Sequence, residues 1–138
     1  MPQSPIQCRV RELDHLVLTV ADITETVRFY TQVLGMRGTQ FEVADGTRRW
    51  ALLFGRSKIN LHQKGREFDP RAADPRPGSA DLCFLTDAPL DEWLAHLETH
   101  QVEIEDGPVP RSGARGPITS VYVRDPDGNL IEISVPED

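Results

Sequence analysis

The chain has 138 residues, 38% of them hydrophobic and 27% charged, with a formal net charge of −7 at neutral pH. That is one domain's worth of chain, long enough to bury a core without staples. The acidic balance argues against a nucleic-acid partner, whose binders carry a basic footprint. No stretch approaches the roughly 20 apolar residues of a membrane span, and the polar start lacks a signal-peptide core, so the expected setting is cytoplasmic. Cys8 lies in a polar leader and Cys83 in an apolar run, so no disulfide framework is expected.

Residues 13–20, LDHLVLTV, alternate as a strand, with Leu16, Leu18 and Val20 on one face and His15, Val17 and Thr19 on the other. Asp22 and Glu25 have the spacing of a capping box. Ile23, Val27, Tyr30 and Leu34 follow at helical spacing, with Phe29 and Val33 broadening the stripe, until Gly35 ends the helix. Three strands are expected at 38–43, 48–54 and 57–63, the last setting Ile59 and Leu61 against Asn60 and His62. Residues 64–78, with three prolines and two glycines, read as a connector.

The pattern then restarts. Residues 79–86 alternate with Asp81, Cys83 and Leu85 opposite Leu82 and Phe84, and Pro89 opens a helix carrying Leu90, Trp93, Leu94 and Leu97. A short strand at 102–105, a loop rich in Gly, Pro and Arg at 106–117 and a strand at 118–124 lead to the turn Asp125-Pro126-Asp127-Gly128-Asn129. That turn launches a closing strand in which Ile131, Ile133 and Val135 oppose Leu130, Glu132 and Ser134. Strand, helix, three strands thus occurs twice, with a period of about seventy residues. The expected fold is α+β: one domain over 1–138, built of two βαβββ modules at about 13–63 and 79–135. Their strands form a curved mixed sheet around a concave cavity.

A glutamate in mid-strand is costly to bury unpaired and needs solvent, a cation or a metal beside it. Matching the halves by pattern sets His15 against Asp81 and His62 against Glu132, all four on the face away from the helices. Imidazole and carboxylate together suit a divalent ion such as Zn, Ni, Mn, Co or Fe, and the absence of thiolates argues against a closed structural zinc site. Asp81 is open between ligand, orienting partner and exposed edge. His96 and His100 also have a metal-binding spacing, but they end a helix with no third ligand in sight. Arg111 and Arg115 fall in the loop beside the cavity mouth, where they could clamp a carboxylate or stay solvated. Tyr122 and Arg124 face the cavity by parity.

These residues resemble the vicinal-oxygen-chelate superfamily, which includes glyoxalase I, fosfomycin-resistance proteins, extradiol dioxygenases and bleomycin-resistance proteins. The resemblance is carried by LDHLVLTVADITETVRFYTQVLGM, by the paired modules and by VRDPDGNLIEIS. More narrowly, FGRSKINLHQKGREF, PGSADLCFLT and GPVPRSGARGPI look like glyoxalase-domain-containing, lactoylglutathione-lyase-like proteins. The resemblance implies metal ligands at His15 and Glu132 and at Asn60 or His62, with His62 favoured; Asp81 stands where the family usually has His or Gln. In glyoxalase I a ligand carboxylate also moves the substrate proton, which makes Glu132 the first candidate base and Asp81 the second. The implied activity is a metal-dependent lyase or isomerase that acts on a small carbonyl or thiol adduct through enolate stabilisation. The alternatives are an extradiol-type dioxygenase and a metal-free small-molecule binder. By analogy with the family a homodimer is expected.

Overall fold

The computed structural model describes residues 7–137. Strand β1 (His15–Val20) leads through Asp22 into helix α1 (Ile23–Arg28), where the Asp22 side chain accepts the Glu25 N–H at 3.0 Å. Glu25 does not return the contact; it pairs with Arg28 at 3.1 Å, so half of the expected capping box forms. The helix then widens into a π-helical turn, Phe29–Val33, in which the Leu34 N–H reaches back to the Phe29 carbonyl at 3.3 Å. Both Tyr30 and Val33 are buried by that turn. Gly35 ends the segment at φ 74°.

Strands β2 (Arg37–Glu42), β3 (Arg48–Phe54) and β4 (Ser57–Gln63) complete the first module. The second runs β5 (Asp81–Leu85), α2 (Leu90–Thr99), β6 (Asp106–Gly113), β7 (Gly116–Arg124) and β8 (Leu130–Pro136). The strand orders are β1-β4-β3-β2 and β5-β8-β7-β6, giving two four-stranded mixed sheets of the same topology. In each, the first and last strands of the module pair in parallel. The βαβββ repeat is therefore present as two separate sheets, with no ladder joining them among the described residues.

One apolar cluster lies behind both sheets. It takes Leu18 and Val20 from β1, Ile59 and Leu61 from β4, Val121 and Val123 from β7, and Ile131 and Ile133 from β8, closed by Tyr30, Val33 and Leu97 of the helical segments. Phe54 and Phe84 meet edge to face at 5.3 Å and tie one sheet to the other. The opposite faces look outward: His15, Val17, Asp81 and Cys83 are all exposed. No helix of the described residues is long and apolar enough to cross a membrane.

The expected strand at 102–105 and loop at 106–117 need correcting. Residues 102–105 are irregular, and Asp106–Gly113 forms an eight-residue strand against β7, turning over at Ala114 and Arg115. Pro108 and Pro110 break the strand pattern in the sequence, yet β6 is the edge of its sheet, where missing N–H donors are tolerated. A register shift at its start passes through Gly107 at φ 99°, where a Cβ would collide with the Ser120 carbonyl.

The turn before β8 joins the modules. Asp125 is 5% exposed and its carboxylate takes four donors. Oδ1 accepts the N–H groups of Asp127 and Asn129, each at 2.9 Å; Oδ2 accepts the Tyr30 hydroxyl and the Asn129 amide, each at 2.7 Å. Burial, and then the Asp125 charge, push the Tyr30 phenol far above its ordinary value, so it remains a donor. Asn129 Oδ1 in turn accepts the Ala80 N–H at 2.8 Å, and Asp127 Oδ1 accepts the Ala21 N–H at 3.2 Å. Removing the acceptor strands several buried donors, so Asp125→Ala is expected to cost about 3–5 kcal/mol in urea unfolding. Tyr30→Phe, which deletes one hydroxyl, should cost about 1–2 kcal/mol.

Candidate functional site

The parallel ladders fix which outward residues are neighbours. In the first sheet His15 lies opposite Lys58, Val17 opposite Asn60 and Thr19 opposite His62. In the second, Asp81 lies opposite Leu130, Cys83 opposite Glu132 and Leu85 opposite Ser134. The position equivalent to Glu132 is therefore Asn60, and the equivalent of His62 is Ser134. His15 and His62 share a face but stand four ladder steps apart, about 13 Å. One ion with bonds of about 2 Å does not bridge such a gap with the side chains so placed.

His15 is exposed, and its Nδ1 is bonded to Asp14 Oδ2 at 2.8 Å. The bond holds the Asp14 carboxyl below its usual range. Such a carboxylate orients an imidazole and leaves Nε2 for another partner. Diagonal to it, Asn60 Oδ1 is buried and accepts no hydrogen bond among the described residues. His62 is differently placed. It is 6% exposed, with its ring 4.2 Å from that of Phe68, and the Arg49 guanidinium lies 3.7 Å over the same phenyl ring. Burial first, then the Arg49 charge, lower its pKa.

In the second sheet Glu132 Oε2 accepts the Ser120 hydroxyl at 2.6 Å and that of Ser134 at 3.4 Å. The two serines are fully buried with their oxygens 2.6 Å apart, and Cys83 Sγ lies 3.3 Å from Ser134 Oγ. Partial burial pushes the Cys83 thiol above its ordinary value, against the Ser134 hydroxyl. The chain Cys83–Ser134–Ser120 thus holds one oxygen of Glu132, while the other makes no hydrogen bond among the described residues. Cys83, Leu85, Ile118, Arg115 and Glu132 line a cavity of about 510 Å³ on this face. Asp81 is exposed, diagonal to Glu132 as His15 is to Asn60.

Within one chain, no group of three or more His, Cys, Asp or Glu among the described residues could hold a metal ion. The structure gives two pairs on two separate faces: His15 with Asn60, and Asp81 with Glu132. As donors for a divalent cation they fit, being one imidazole with a free nitrogen, one unpartnered amide oxygen and two carboxylates. Strand parity places Ser120 and Ser134 on the face of Glu132, but only the pairing of β7 with β8 shows that they bond to its carboxylate.

The remaining candidates are structural or tied elsewhere. Arg111 is on β6, not in a loop, and its Nε donates to the Tyr122 hydroxyl at 2.9 Å. Arg124 grips Glu105 through two bonds of 3.0 and 2.9 Å. His96 Nε2 donates to the Val33 carbonyl at 2.8 Å and docks α2 on the π-helical turn.

The lowered pKa of His62 has a consequence for stability. The unfolded chain takes up a proton near pH 6.5 and the folded chain does so lower, so stability falls as pH drops through that window. With a chelator present, the His62 ring resonances should titrate below pH 6.5. The loss of unfolding free energy between pH 7 and pH 5 should shrink in His62→Gln.

Known proteins agree with this architecture. The family model of the Glyoxalase/Bleomycin resistance protein/Dioxygenase superfamily matches residues 12–133. The chain is 52% identical over 129 residues to Virulence protein STM3117 of Salmonella typhimurium, covering 94% of this chain and 87% of that one. It is 53% identical over 132 residues to the Glyoxalase domain-containing protein RDO1 of Mycosarcoma maydis, covering 96% of this chain and 72% of the relative. A solved structure from the mobile metagenome of V. Pseudocholerae, VPC_CASS1, superposes with a TM-score of 0.90 at 53% identity, over 96% of this chain and all of the other. With its doubled βαβββ topology, the chain belongs to the Glyoxalase/Bleomycin resistance protein/Dioxygenase superfamily.

Proposed function

We propose that the protein is a metal-dependent lyase or isomerase of the glyoxalase type, acting on a small carbonyl or thiol-adduct substrate. Its site is completed between two copies of the chain. The observation that carries this reading is the register: His15 and Asn60 occupy in the first sheet the positions that Asp81 and Glu132 occupy in the second. Each pair is half of a plausible ligand set, and both outward faces stay open in the single chain. A homodimer that sets the first face of one copy against the second face of the other would unite the two halves.

A divalent cation held there would polarise a substrate oxygen as a Lewis acid. The protein's own contribution centres on Glu132. Ser120 and Ser134 immobilise its Oε2, which leaves Oε1 to take a proton from the carbon beside a carbonyl and return it to the next. The pair with Asp14 fixes His15, and Asp81 either completes the donor set or stands as a second proton acceptor.

An extradiol-type dioxygenase has less support. Its two-His, one-carboxylate composition needs His62, which is stacked on Phe68 four ladder steps from His15. A metal-free binder would make use of the same exposed faces and is separated by metal content.

Metal analysis of purified protein should give bound divalent ion that falls at least tenfold, by order of magnitude, in His15→Ala and in Glu132→Gln. Co-expression of the two variants should restore part of the metal and of the activity on methylglyoxal with glutathione, because a mixed dimer contains one site with neither substitution. Metal-free protein at every growth condition would sink the enzyme reading, and a mixture as inactive as its components would sink the shared site.

A further inference from the structure

The connector 64–78 folds back over the His62 end of the first sheet and closes a cavity of about 420 Å³. Val17, Thr19 and His62 form its floor, and Arg71 and Arg76 reach it from the connector. Arg76 is already satisfied, with its Nε 2.8 Å from Asp74. Arg71 is not. Its Nη1 lies 3.8 Å from Asp69 and 3.5 Å from the Glu67 carbonyl, both too long for a good hydrogen bond. Thr19 and His62 are 9% and 6% exposed, and neither side chain has a hydrogen-bond partner among the described residues. Both border this cavity.

Behind them sits a second cation. Arg49 lies over Phe68, which stacks on His62, and its Nε is buried with no acceptor. In a chain of net charge −7, the guanidinium groups of Arg49 and Arg71 both act on His62, with the Thr19 hydroxyl beside it. Of the carboxylates nearby, Asp74 in the cavity wall is held by Arg76 at 2.8 Å, Asp69 stands 3.8 Å from Arg71, and Glu67 acts on His62 with the opposite sign. The floor residue Val17 and the connector residues Pro70 and Pro75 supply apolar wall. The volume is at the small end of ligand pockets.

We propose that this cavity binds the carboxylate of a small organic acid. Arg71 takes the carboxylate oxygens, Thr19 and His62 supply further hydrogen bonds, and the apolar walls hold the carbon skeleton. All of these groups come from one chain and none is in the ligand set assigned above, so binding does not require the metal. That the acid is also the substrate, since the cavity lies on the same face as His15, rests on the reading under Proposed function; the binding does not.

The test is calorimetric titration of the full chain with propionate, succinate and adipate, with EDTA present throughout. Succinamide serves as the uncharged counterpart and inorganic phosphate as the competing oxyanion. At least one acid should bind, shift the His62 ring resonances and outcompete both controls. Arg71→Gln should weaken it by about tenfold or more with an unchanged thermal midpoint, whereas Arg76→Gln should stay within about twofold of wild type. No binding of any acid, equal binding of succinamide, or unchanged affinity in Arg71→Gln would overturn the proposal. Phosphate binding as tightly as the acids would overturn the carboxylate assignment.

Discussion

A single buried carboxylate sets the geometry of the outward faces. Asp125 accepts two backbone N–H groups of its own turn, the amide of Asn129 and the phenol of Tyr30 from the other module. Through Asn129 the same network reaches the Ala80 N–H, the residue before β5. The start of β5 and the start of β8 are thereby pinned to one another, and their parallel register follows. Glu132 stands across from Cys83 because of that pinning. A slip of one residue would turn it into the core. A carboxylate is expensive to bury, and here four donors compensate it, which is the condition under which such a group holds structure together.

The two modules share a scaffold and differ in what they present. The first sheet offers an imidazole, an amide and Lys58; at the equivalent places the second has two carboxylates and Leu130. The first face is therefore the more basic and the second the more acidic. Two copies that set unlike faces together would satisfy both, whereas like faces would oppose charge with charge. Val17 and Leu85, one on each face, are exposed and add apolar surface to those faces.

The architecture was legible because apolar alternation and helical spacing recur in both halves, and local pattern decides strand against helix where one face is buried. What was not legible depends on pairing between strands. Parity puts Asn60 and His62 on one face alike, and basicity favours the histidine; only the β1–β4 register shows that Asn60 is the diagonal neighbour of His15. Phe68 lies in a stretch without periodicity, so its stacking on His62 has no signature in the chain. Strand β6 was hidden for a chemical reason: Pro108, Pro110 and two glycines look like a loop unless the strand is known to be at an edge.

Those prolines have a bearing beyond the fold. A border strand with its full set of N–H groups is a template on which another chain can add a strand, and repetition of that step builds fibres. Pro108 and Pro110 remove two donors from the border of the second sheet, and the register shift at Gly107 bends what is left. Strand addition along that rim is thereby disfavoured, and the second sheet carries a device against edge-to-edge association in its own sequence.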